Sequence, residues 1–148
     1  MYKRMMVAYD GSPLSDKALN EAIEFAKQSG CKISLLYVLT PHQLLISGGR
    51  QVPGLKELER QHAETLRQHA REMMQSAQDR IKTAGIECDV LLEEGVHPYQ
   101  HIIEGAKRLQ CDLVVMASHG RRGIEGFLLG SQTVKVLTHS KIPVLVYR

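Results

Sequence analysis

Apolar positions along the chain fall into two alternating kinds of run. Five runs are short, rich in Val, Ile and Leu, and mostly without strict polar alternation: residues 5–9, 32–39, 88–93, 112–117 and 143–147. Each predicts a strand, and the missing alternation predicts burial on both faces of a sheet. Between them apolar residues return every three or four positions, the spacing of one helical face. Ala18, Leu19, Ala22, Ile23 and Ala26 mark a first helix over 15–28, with Ser12 and Pro13 placed to cap and start it and Gly30 to end it. Leu55, Leu58, His62, Leu66, Ala70, Met73, Ala77 and Ile81 mark a second over 54–84, closed by Gly85. At about 45 Å it is longer than a compact domain needs, so its first turns are expected to be frayed or detached. Tyr99, Ile102, Ile103, Ala106 and Leu109 mark a third beginning near Pro98, and Val134, Val136 and Leu137 a fourth over 131–140.

One stretch resists both patterns. Residues 40–54 hold Pro41, Ser47, Gly48, Gly49, Pro53 and Gly54, a composition that predicts irregular structure. Leu44, Leu45 and Ile46 have no evident core partner there, so the segment reads either as a lid over whatever lies beside the end of the second strand or as a passive surface loop.

The order is therefore β-α-β-α-β-α-β-α-β. Crossovers of this kind build a parallel sheet with helices on both faces, and the expectation is an α/β, doubly wound, five-stranded domain over 1–148 with strand order 3-2-1-4-5. Ligands of such sheets bind beyond the carboxyl ends of the strands where the order reverses, here between strands 1 and 4.

Composition narrows the classes. The chain has 148 residues, 43% hydrophobic and 24% charged, values of an ordinary folded domain. Nineteen basic against sixteen acidic residues leave a formal +3 spread along the chain, too weak and dispersed for a nucleic-acid partner. The longest apolar runs, 35–39 and 113–117, have five residues, far short of the ~18 that cross a bilayer, and the first ten residues lack the apolar stretch of an export signal. No membrane association and a cytoplasmic location are expected. Cys31, Cys88 and Cys111 are odd in number and lack metal-ligand spacing, which fits reduced thiols.

The switch point selects two loops before any motif is consulted: Asp10-Gly11-Ser12 and Ser118-His119-Gly120. The second continues through Arg121 and Arg122 to Gly130 and Ser131 at the start of the last helix, where unpaired N–H groups and the helix dipole favour an anion. Gly130 would let a phosphate approach the backbone and Ser131 would add a donor, or Ser131 only caps the helix. Arg121 and Arg122 read equally as phosphate partners, through their fixed donor forks, and as a solvated loop. A P-loop is excluded because no Gly-Lys pair occurs, and G-x-G-x-x-G is absent. His119 has no evident nucleophile or acid to work with, and His97 and His101, four apart across Pro98, read as surface residues rather than zinc ligands.

The chain nevertheless resembles the universal stress protein family. The carriers are Val7-Ala8-Tyr9-Asp10-Gly11-Ser12, then Ala117-Ser118-His119-Gly120 followed nine residues later by Gly130-Ser131, then Lys141-Ile142-Pro143-Val144-Leu145-Val146, in the family's order over the full length. Nucleotide-binding members carry G-x-x-G-x(9)-G-[ST] at the second place. Ala117 stands where their first glycine does, putting a methyl where the family brings its backbone near the sugar and phosphates. The resemblance implies an adenine nucleotide alpha hydrolase-like fold and an ATP pocket, with magnesium carried by the phosphates. Ala8 and Tyr9 would belong to the pocket, Asp10 would sit at the ribose, Val38 against the adenine, and Met116 and Ala117 under the nucleoside. Gly120, Gly130, Ser131 and Gln132 would hold the phosphates. It also implies a homodimer paired through the last strand, from Ile142 to Tyr147, an apolar edge with no charge before Arg148. The expected role is an ATP-binding stress-response regulator or sensor. Its rivals are a dimeric interaction protein with a vestigial pocket and a slow ATPase using Asp10 or His119 on water.

Overall fold

The apolar runs form five strands in a computed structural model, which describes residues 1–44, 53–120 and 129–148. They are β1 (Arg4–Ala8), β2 (Lys32–Leu39), β3 (Cys88–Glu94), β4 (Leu113–Ala117) and β5 (Val144–Tyr147), each within one residue of its expected bounds. All pair in parallel in the order β3-β2-β1-β4-β5, which is the expected order. The helices between them are α1 (Pro13–Ser29), α2 (Pro41–Leu44), α3 (Leu55–Thr83), α4 (Pro98–Arg108) and α5 (Ser131–His139).

Alternation along the strands divides the core into two layers. Met5, Val7, Ile33, Leu35, Leu113 and Val115 face α1 and α3, where Leu19, Ala22, Met74, Ala77 and Ile81 meet them. Met6, Leu36, Val38, Val114 and Met116 face α4 and α5, where Ile102, Ala106 and Val136 meet them. Helices therefore cover both faces, and the inner strands β1, β2 and β4 are buried on both, as their unbroken apolar runs require.

Local chemistry sets the helix ends. Ser12 Oγ accepts the Ser15 N–H at 3.2 Å, Pro13 opens α1 with its fixed φ, and Gly30 closes it at φ 70° with its N–H on Ala26 O. In α2 the structure corrects the expectation of irregular backbone over 40–54. Thr40 stands before Pro41, and Gln43 reaches back so that its Oε1 accepts from Thr40 N at 2.7 Å and Thr40 Oγ1 at 2.8 Å. Thr-Pro-His-Gln thus forms the return half of a capping box, with the Gln43 N–H on Thr40 O at 3.0 Å, and its pattern is present in the sequence. The rest of that stretch, residues 45–52, lies outside the described residues.

The helix α3 is continuous from Leu55, so its first turns are not frayed, but they stand off the core. Only its second half is core: Ala70, Met74, Ala77 and Ile81 are buried, whereas Leu58 is 52% exposed. Met74, not the expected Met73, is the methionine of α3 sealed inside. Cys31, Cys88 and Cys111 are free thiols, and burial raises the pKa of each, to about 11 for Cys88. Among the described residues no helix is long and apolar enough to cross a membrane.

The two sheet edges are treated differently. On β3, Asp89 is paired with Arg4, Glu93 with Arg108 and His101, and Glu94 with Arg67, a charged edge of the kind that discourages further pairing. On β5, Leu145 is 44% exposed and no charge intervenes.

Candidate functional site

Past the carboxyl ends of β1, β2 and β4 the two layers part and leave a cavity of about 600 Å³. Ten expected site residues line it: Ala8, Tyr9, Asp10, Val38, Met116, Ala117, Gly120, Gly130, Ser131 and Gln132. The eleventh, Arg121, lies outside the described residues, as does Arg122.

The lining is of mixed character. An apolar part is walled by Ala8, Leu36, Val38, Ile102 and Met116 from the α4/α5 layer, with Val96 from the turn after β3 and Pro98 from the start of α4. A polar part includes Asp10. Its Oδ1 accepts the Ser12 N–H at 2.9 Å, and its Oδ2 fills the space a side chain at Gly120 would need: a Cβ there would lie 2.4 Å from it. The start of α5 also lines the cavity. Gly130 is its N-cap and makes no side-chain cap; Ser131 is the first helical residue, so the reading of Ser131 as the cap is set aside. The N–H groups of Ser131, Gln132 and Thr133 have no acceptor within the helix, and the helix dipole adds partial positive charge at this end.

Several side chains have tasks the sequence did not disclose. Thr133 is buried, its Oγ1 donating to Ala117 O and Ser118 O at 3.1 and 3.0 Å, which fastens α5 to the end of β4. Gln132 Oε1 accepts the Tyr99 N–H at 3.1 Å, tying the start of α5 to the start of α4 and leaving its backbone N–H for a ligand. The missing side chain of Gly130 faces the loop and not the cavity path: a Cβ there would meet Ser118 O at 3.2 Å and the His119 Cα at 3.3 Å. Close packing of loop on helix is thus one reason for a glycine there. Ala117 is the last residue of β4, and strand alternation sets it on the face of Leu113 and Val115, toward α1. Its methyl therefore lies on the opposite face of the sheet from Val38 and Met116.

Tyr9 lines the cavity but commits its hydroxyl elsewhere, donating to Asp16 Oδ1 at 2.8 Å. Burial, reinforced by the Asp16 carboxylate, pushes the phenol up to about 12, so it stays a neutral donor. His119 also lines the cavity, yet among the described residues its ring meets only Ser118 Oγ, 3.2 Å from Nδ1. His97 is exposed as expected, but His101 is not a surface residue. It is half-buried, with Nδ1 2.6 Å from Glu93 Oε2 and its ring against Gly95. Among the described residues no cluster of three potential metal ligands occurs.

The start of the segment read as a lid or a surface loop does line the cavity, through residues not named among the expected site residues. Thr40, Pro41 and Gln43 line it from α2, and His62 of α3 lies 3.2 Å from Gln43 O through Nε2. A second hollow, about 840 Å³, is an open trough between α1 and α3 walled by Asn20, Asp79 and Arg80 among others. It is larger, but it holds no switch-point loop and no helix N-terminus.

The comparisons agree with this geometry. The model of the universal stress protein family matches residues 1–148. A universal stress protein of Methanocaldococcus jannaschii, MJ0531, is 30% identical over 148 residues, covering all of this chain and 83% of that one. The solved structure of MJ0577 from the same organism superposes with a TM-score of 0.83 at 25% identity, covering 99% of this chain and 96% of that one. A universal stress protein solved in complex with cAMP superposes with a TM-score of 0.69 at 25% identity, with 99% and 97% coverage. The sheet order and layers above are those of the adenine nucleotide alpha hydrolase-like fold. The chain belongs to the universal stress protein family.

Proposed function

We propose that this protein binds an adenine nucleotide, ATP with magnesium, in the cavity at the ends of β1 and β4, and acts as a cytoplasmic stress-response regulator or sensor. One observation carries the reading: an apolar wall, the Asp10 carboxylate and the N-terminus of α5 line the same cavity. That set of apolar wall, carboxylate and helix N–H groups suits base, ribose and phosphate, because a purine buries apolar surface, a ribose donates hydroxyls and phosphates seek helix N-termini. The relative solved with cAMP supports the same ligand class.

The proposed role is binding rather than turnover. Among the described lining residues Asp10 is the single carboxylate, so no second one stands beside it to share general acid/base work. With one carboxylate available, a magnesium ion would be carried by the phosphates.

Thermal unfolding tests the reading. At ATP·Mg a hundredfold above its Kd, mass action adds about 2.7 kcal/mol, roughly 5–10 °C for a domain of this size. Adenosine, lacking phosphates, is expected to give a smaller shift at the same concentration. No shift with millimolar ATP would favour an interaction protein with a vestigial pocket.

Pairing through β5 belongs to the same reading, supported by the uncharged edge and exposed Leu145. The disruptive position follows from burial. Val144 and Val146 pack into the α4/α5 core, so lysine there would damage the fold itself, whereas Leu145 faces outward. Leu145→Lys is expected to convert a dimer to a monomer in light scattering while leaving the circular dichroism spectrum unchanged; a wild-type monomer would dispose of the idea.

A further inference from the structure

We propose that Asp16 and Arg80, both outside the cavity, are positioning residues for the nucleotide site and act on Asp10 through the Tyr9 hydroxyl; the inference rests on the binding reading above. Strand β1 ends at Ala8, so Tyr9 and Asp10 are the first residues beyond the sheet's parallel register. Whatever fixes Tyr9 fixes the direction in which Asp10 leaves.

Two ties do so. On the backbone, the Tyr9 N–H donates to Leu36 O at 2.9 Å. On the side chain, the Tyr9 hydroxyl donates to Asp16 Oδ1, and the same oxygen receives Arg80 Nη1 at 2.8 Å. Arg80 Nη2 reaches Asn20 Oδ1 at 2.5 Å. The end of β1, the first turn of α1 and the last turns of α3 thus converge on one carboxylate. Arg80 stands on a firm base, because Ala77 and Ile81 beside it are buried in the core.

Stability is a poor explanation of this arrangement. The Arg80 and Asp16 side chains are 37% and 42% exposed, and an ion pair in that setting contributes at most about 1 kcal/mol. Placement is the better one. A ligand contact is sensitive to shifts of about 0.5 Å in the group that makes it, so a second anchor on the corner that carries Asp10 is felt at the ribose end of the cavity.

The test uses the full chain with two readouts: ATP·Mg affinity by calorimetry, and exchange of the Ser12 amide in the unliganded protein by NMR, since that amide is held by Asp10 Oδ1. Asp16→Ala and Arg80→Met are each expected to weaken ATP about tenfold, with the double variant no weaker than the worse single one, as members of one linkage behave. Ser12 exchange should rise several-fold in both. Asp16→Asn, which still accepts from Tyr9, should recover most of the affinity lost in Asp16→Ala. Wild-type affinity and wild-type Ser12 exchange in Asp16→Ala would overturn the inference while leaving the nucleotide reading intact. If wild-type protein fails to bind ATP yet Asp16→Ala speeds Ser12 exchange, the placement of Asp10 by Asp16 stands and the nucleotide reading falls.

Discussion

Gly120→Ala is expected to weaken ATP binding about a hundredfold while changing the stability of the unliganded protein by no more than about 1 kcal/mol. The added Cβ would lie 2.4 Å from Asp10 Oδ2 and 3.6 Å from its Cγ, so the first atom it meets is the tip of a side chain that can rotate away. Rotation relieves the overlap at the cost of the bond from Ser12 N–H to Oδ1, a loss of about 1 kcal/mol. The carboxylate is then no longer aimed at the middle of the cavity. A hundredfold loss corresponds to about 2.7 kcal/mol, the size of one charge-assisted contact removed from a half-enclosed site. Calorimetric titration beside a thermal melt separates the two effects; full affinity in Gly120→Ala would mean that Asp10 makes no contact with the ligand. Gly130 is the less informative position. Its Cβ would press on Ser118 O and the His119 backbone, which cannot rotate away, so stability and binding would fall together.

The two glycines show where the sequence was legible. The switch-point rule found Asp10, Gly120 and Gly130 from strand order alone, because burial on both faces leaves unbroken apolar runs that mark the inner strands, and ligand position follows from their order. The resemblance to universal stress proteins supplied the residues on the strands themselves, Val38, Met116 and Ala117. What stayed hidden were contacts between residues far apart in the chain. Nothing near Tyr9 says that its hydroxyl meets a carboxylate shared with Arg80, 64 positions beyond Asp16, nor that Gln132 caps a helix 33 residues earlier. The packing of Gly130 against the loop stayed hidden for the same reason: a helix N-terminus in sequence does not say which way a missing side chain would have pointed. The capping box at Thr40 and Gln43 is a different kind of miss, since a local signal was present and the Pro and Gly residues after it were given more weight.

Met74→Ala is expected to destabilise the protein by about 2–5 kcal/mol, and Met73→Ala by about 1 kcal/mol or less. The sequence does not separate them well. At about 100° per residue, and measured from Ala70, Ala77 and Ile81 lie about 20° to either side of the stripe's centre, Met74 about 40° to one side and Met73 about 60° to the other. Leu55, Leu58 and Leu66 all fall on the Met73 side, so reading the helix as one stripe from Leu55 draws its centre toward Met73. The structure removes that pull, because the first half of α3 lies beyond the sheet, with Leu58 half exposed, and only the half from Ala70 packs on the strands. There Met74 is 1% exposed within the α1/α3 core, while Met73 only flanks it. Truncating Met74 therefore opens a cavity that the surrounding Ile and Leu side chains cannot close, whereas truncating Met73 exposes a gap that water fills. Urea unfolding decides the matter through the midpoint at constant slope. Equal losses in the two variants would mean that α3 sits on the sheet rotated toward Met73, with the stripe running unbroken from Leu55.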